Sequence, residues 1–197
     1  YVLGPNYNAG MEPDNYQRAV QAIETAQDLM QASTPKEQGL ILAMAERYEL
    51  PVPENRVHLD LAYSEALKKL TATYPNDAHI SCLYAESLMD LHPWDLYDSD
   101  GQSKPWTPEI LNALNRVLTI DPNHAGAHHL FIHAVEASST PELGYPSAEK
   151  FDQDLVPGSG HLVHMPSHIY IQTGDYNKGL AANIRAIAAD NIYLTQM

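Results

Sequence analysis

Three prolines constrain this chain most. Pro75, Pro122 and Pro157 each close one helical stretch and precede the next, so a two-helix unit recurs along the 197 residues. A unit of this kind buries its apolar face only against its neighbours, which leaves stacked helix pairs as the expected fold. Strand signals are scarce: valine is infrequent and period-two alternation is nearly absent. Helical periodicity is common, as in the stripes Tyr63, Ala66, Leu67, Leu70 and Ile110, Leu114, Val117, Leu118. The pattern predicts helices at 14–31, 35–48, 55–74, 77–91, 107–120, 123–137, 146–155, 160–173 and 176–190. Breakers fall between them at Pro51 and Pro53, Pro75-Asn76, Asp121-Pro122, Pro157-Gly158 and Gly174-Asp175. A hydrophobic fraction of 44% supplies a core and argues against disorder.

Two short stretches carry the chemistry. In the first, His129, His133 and Glu136 are offset by four and then three residues. In the second, His161, His164 and His168 are offset by three and then four. Both spacings put three ligand-type groups on one helix face. If the two helices are neighbours, five imidazoles and a carboxylate converge, which is the donor chemistry of zinc, iron or copper. That set exceeds one tetrahedral ion, so either a five- or six-coordinate ion or two adjacent ions are implied. An open position would permit water activation or oxygen chemistry, with Glu136 or Glu86 as the candidate general base. Spacing does not decide whether the chain is an enzyme. Adjacent to His129, His128 points about 100° away and is read as packing or as support for a ligand.

The net charge of −14 argues against nucleic acid and anionic membrane as partners, and no apolar run is long enough to span a bilayer. A single cysteine, Cys82, forms no intrachain disulfide. Composition thus leaves the compartment open, a periplasmic or extracellular setting being preferred to a cytoplasmic one. The opening Tyr1-Val-Leu-Gly4-Pro5 reads as the last turn of a helix, as expected for part of a longer chain.

From Pro122 to Pro157 is 35 residues, close to the 34 of a tetratricopeptide unit, and Tyr170, Gly174-Asp175-Tyr176 and Ala186 match that pattern. The 47 residues from Pro75 to Pro122 leave 13 extra, seen as a loop at about 92–106. Longer phrases, such as Ala85-Glu-Ser-Leu-Met-Asp-Leu-His-Pro-Trp-Asp95, His129-Leu-Phe-Ile-His-Ala-Val-Glu-Ala-Ser138 and Gly160-His-Leu-Val-His-Met-Pro-Ser-His-Ile-Tyr170, resemble a family of bacterial tetratricopeptide-repeat proteins without an assigned activity. The resemblance implies one all-α tetratricopeptide-like solenoid of antiparallel helix pairs over 1–197, with first helices lining a concave groove. Seven residues past the prolines lie Cys82, His129 and His164; eleven past lie Glu86, His133 and His168. Fourteen past lie Met89, Glu136 and Ile171. In that register both histidine sets face the groove, joined by Glu86 and Asp90.

The leading expectation is a groove-borne transition-metal site. One alternative is a scaffold whose groove takes a peptide or partner protein; another is head-to-tail self-association through the solenoid ends. The Trp94–Asp98 loop is read either as a lid or as a structural plug.

Overall fold

A computed structural model describes residues 4–7 and 11–196. The helix turn expected at the first three residues lies outside them. Among the described residues there is no strand; Tyr97 and Ser103 form an isolated bridge. The helices are α1 (Pro13–Leu29), α2 (Pro35–Ala45), α3 (Val57–Thr73), α4 (Ala78–Asp90), α5 (Thr107–Ile120), α6 (Ala125–Val135), α7 (Tyr145–Asp152), α8 (Gly160–His164), α9 (Pro166–Gln172) and α10 (Tyr176–Gln196). The helix expected over 160–173 is two, because Pro166 lacks an N–H and cannot continue the hydrogen-bond ladder. Met165 nevertheless keeps helical dihedrals (φ −51°, ψ −37°), so α9 follows α8 with little loss of phase. Among the described residues no helix is long and apolar enough to cross a membrane.

The chain forms two compact units, residues 1–94 and 95–197. In the first, α1 packs on α2, α2 on α3 and α3 on α4. Thr34 and Glu37 form a reciprocal capping box that starts α2, and Asp77 caps α4 through the Ile80 N–H. The interior holds an ion pair as well as apolar side chains. Arg47, 1% exposed, donates from Nη2 to Asp90 Oδ2 at 2.8 Å and to the Pro5 carbonyl at 3.1 Å. Its guanidinium lies 4.5 Å from the Tyr63 ring centroid. The carboxylate of Asp90, which the sequence suggested for the groove, is thus paired with Arg47 inside this unit. Also on α4, Glu86 acts electrostatically on Tyr63, Cys82 and Asp90.

In the second unit α5 packs on α6, α6 on α7 and α9, α7 on α9, and both α8 and α9 on α10. The core holds Ile110, Leu114 and Val117 from α5 and Ile132 and Val135 from α6, with Phe151, Ile169 and Tyr170. Close approach requires two glycines. A Cβ on Gly144 would meet Ile169 at 2.4 Å, and one on Gly160 would meet the Asp190 carboxylate at 1.9 Å. The long loop behaves as a plug. Leu96 is buried, Asp98 Oδ1 accepts from the N–H groups of Asp100 and Gln102, and the Tyr97 hydroxyl donates to the Ala134 carbonyl at 2.7 Å. That bond satisfies one of the carbonyls left open where α6 ends. Gly101, at φ +73°, accepts from the Ser139 N–H through its carbonyl.

The Arg47–Asp90 pair generates a stability prediction. Asp90→Asn removes the carboxylate 2.8 Å from the buried guanidinium and leaves Asp60, whose Oδ1 is 4.0 Å from Arg47 Nε, which costs up to about 3–5 kcal/mol. Urea unfolding of the two proteins measures this; a difference below about 1 kcal/mol would mean that solvent reaches Arg47.

Candidate metal centre

The sequence places an imidazole at each turn of the inner face of α6 and of α8–α9, and packing brings the two faces together. His124 opens α6 as its N-cap, its Nδ1 accepting from the Ala127 N–H at 3.1 Å. His129 and His133 follow one turn apart, and Glu136 stands at the C-cap still in helical conformation. Ser159 caps α8 and sets the start from which His161 and His164 are counted. Because Met165 stays helical, His168 on α9 remains in line with His164.

Five rings close into a loop. Centroids lie 4.9 Å apart for His129–His133, 5.1 Å for His133–His168, 4.8 Å for His168–His164, 6.4 Å for His164–His161 and 5.0 Å for His161–His129. Two pairs of ring nitrogens meet directly. Nε2 of His129 is 3.0 Å from Nε2 of His161, and Nε2 of His164 is 3.0 Å from Nε2 of His168. Ligand atoms of His129, His133 and His161 fall within 4.8 Å of one another, as do those of His133, Glu136 and His168.

Glu136 holds two of the rings by their other nitrogens. Its Oε1 accepts from His133 Nδ1 at 2.7 Å and its Oε2 from His168 Nδ1 at 2.6 Å. Burial opposes ionisation of this carboxyl, but the two imidazole donors outweigh it and hold the pKa at about 2. Both oxygens are therefore committed acceptors, and a carboxylate so stabilised is a poor general base. Burial, followed by the like charges that His133, His161 and His168 would carry, pushes His129 down to about 3, so its ring is neutral. The same causes lower His161, with burial again the largest.

All six residues picked out by spacing thus lie together, the first set on α6 and its C-cap and the second on α8–α9. His128 turns away from them: Nε2 donates to the Pro122 carbonyl at 3.0 Å, and Nδ1 is left to accept from Ser147 at 2.9 Å. Glu86 and Cys82 belong to α4 in the first unit. Burial, with Glu86 adding, pushes the Cys82 thiol up to about 12, far from the thiolate that a soft metal needs. One residue of the cluster escaped the sequence reading. Asn183 of α10 places Oδ1 2.6 Å from His164 Nδ1, while Ser167 Oγ lies 3.1 Å from that nitrogen. Nineteen residues separate His164 from Asn183, so no local spacing connects them.

The neutral His129 sets a pH dependence for metal-free protein. Its folded pKa, about 3, lies below the ordinary 6.5, so the unfolded chain takes up a proton that the folded one refuses. The contribution is fully present above pH 6.5 and is lost as pH falls toward 3; His161 acts in the same direction. Urea midpoints taken between pH 8 and 5 should fall with acid, and His129→Gln should reduce the slope by up to about 1.4 kcal/mol per pH unit. An unchanged slope in the variant would locate the proton uptake elsewhere.

No protein-family profile matches the sequence, and no curated protein matches it. Among solved structures, the chain is similar to one described as "Crystal structure of MamA", with a TM-score of 0.58 and 13% identity over 94% of this chain and 98% of that one. A second, described as "MamA MSR-1 C2", gives a TM-score of 0.49 and 14% identity over 89% and 98%. MamA is a tetratricopeptide-like helical-repeat protein, and at this identity the likeness bears on the fold alone: the chain is an all-α helical repeat of tetratricopeptide type.

Proposed function

We propose that the second unit holds a transition metal among His129, His133, His161, His164 and His168, with Glu136 orienting two of the rings from outside. The carrying observation is the pair of hydrogen bonds from the Nδ1 atoms of His133 and His168 to Glu136. An ionised carboxylate only accepts, so both rings carry their proton on Nδ1 and, when neutral, offer a lone pair at Nε2. Histidine ligands in metal sites are held in this way, the outer carboxylate fixing the tautomer and raising the basicity of the ligand nitrogen. The 3.0 Å separations between ε-nitrogens also suit shared coordination. With metal–nitrogen bonds of about 2.0–2.1 Å, neighbouring ligands lie about 2.9–3.4 Å apart, depending on octahedral or tetrahedral geometry.

All the donors are imidazole nitrogens, without a thiolate. That set suits zinc, copper or iron better than calcium or magnesium, which prefer oxygen. Neutral rings cost less to bury than charged ones, and burial already holds the His129 ring neutral. Glu136, engaged by two imidazoles, supports holding and tuning the ion more than it supports proton abstraction. The reading therefore stops at metal binding.

The test begins with elemental analysis of protein purified without chelator, followed by titration of chelator-stripped protein with zinc. Near-stoichiometric binding is expected, with a rise in melting temperature because bound ion stabilises the folded state. The double variant His161→Ala with His168→Ala keeps the buried His133 and its bond to Glu136. It should lose most zinc affinity while keeping its helicity. If the stripped wild-type protein binds neither zinc nor copper, and the variant instead unfolds more easily by about 1–3 kcal/mol, the cluster is a packing network.

A further inference from the structure

The facing ε-nitrogens of His164 and His168 demand an explanation of their own. His168 gives its Nδ1 proton to Glu136, which leaves Nε2 as an acceptor. His164 Nδ1 has two neighbours: the Ser167 hydroxyl at 3.1 Å, which can donate or accept and so does not fix the proton, and Asn183 Oδ1 at 2.6 Å, which only accepts. The proton of a neutral His164 therefore also resides on Nδ1, and its Nε2 is likewise an acceptor. Two acceptor nitrogens then stand 3.0 Å apart with no hydrogen between them. Such a contact repels unless a cation occupies it. Had His164 carried its proton on Nε2, the pair would close as an ordinary N–H···N bond and would be spent.

We infer that Asn183 is a positioning residue for the metal site, fixing His164 in the Nδ1–H tautomer so that His164 and His168 form a chelating pair. This rests on the metal reading for its purpose but not for its geometry. The inference extends the site to a third element, since α10 contributes no imidazole to the cluster and packs on both α8 and α9. It also grades the ligands. His133 and His168 lean on an anionic acceptor, whereas His164 leans on a neutral one, so Nε2 of His164 is the weaker donor of the three.

The experiment uses the full chain and three proteins: wild type, Asn183→Leu and Asn183→Asp. Leucine keeps the volume and removes the acceptor; aspartate restores an acceptor, and an anionic one. Nitrogen-15 shifts of the His164 ring in chelator-stripped protein report the tautomer directly. The expected result is a protonated Nδ1 in wild type and Asn183→Asp, and loss of that signature in Asn183→Leu. Zinc titration should then show affinity reduced about 10–100-fold in Asn183→Leu and retained or improved in Asn183→Asp. A merely structural residue would not give rescue by aspartate. The inference is overturned if His164 carries its proton on Nε2 in stripped wild type, or if folded Asn183→Leu binds zinc as wild type does. If wild type binds no zinc while its His164 is protonated on Nδ1, the metal reading fails and the positioning by Asn183 stands.

Discussion

The arrangement of the histidine cluster depends on one carboxylate. Glu136 sits at the C-cap of α6 with half-buried side-chain oxygens, and each oxygen takes an imidazole N–H, one from its own helix and one from α9. Removing these bonds would free His133 and His168 to rotate and would leave a shielded charge without donors, a cost in the range of a buried unsatisfied ion. With them, two helices are tied at one point and both rings are held by Nδ1, which leaves each Nε2 clear of the carboxylate. The rest of the ring loop is built outward from that fixed pair: His164 against His168, His129 beside His133, and His161 closing against His129.

Register is the second constraint. The cluster needs the α6 and α8–α9 faces to be in phase, and the sequence secures this with its prolines. Pro122 and Pro157 precede the caps His124 and Ser159, from which the ligand offsets are counted. Pro166 is the exception that tests the rule. It interrupts the backbone ladder between His164 and His168, yet the αR dihedrals of Met165 carry the phase across. A break with extended dihedrals at that residue would have turned His168 away and left Glu136 with one donor.

The sequence disclosed what local periodicity can disclose. His129, His133 and Glu136, and likewise His161, His164 and His168, share a face because 3.6 residues make a turn, and the tetratricopeptide resemblance implied that the two faces meet. Periodicity says nothing about partners from distant elements. Asn183 was invisible for this reason, as was the pairing of Asp90 with Arg47, 43 residues away, which removed Asp90 from the groove reading. It also cannot assign atoms within a side chain. Glu136, read as a ligand or a base, has an oxygen within 4.8 Å of ligand atoms of His133 and His168, and its two oxygens lie on the Nδ1 atoms of those rings. The loop after α4 left lid and plug equally open until the Tyr97 and Gly101 contacts with the end of α6 were seen.

The two units handle buried polarity in opposite ways. In the first, the Arg47 guanidinium is buried against carboxylates, Asp90 at 2.8 Å and Asp60 at 4.0 Å. In the second, the groups are imidazole rings with a single anion at their edge. Glu136 contributes one negative charge there, and the His129 ring, held neutral by burial, contributes none. The surrounding field adds to this, since acidic residues exceed basic ones by 14 across the chain. On the metal reading we propose, the carboxylate, the facing ring nitrogens and the acidic surface together favour a cation. A proton would compete for the ring nitrogens at low pH, and a divalent ion would take them above the histidine range.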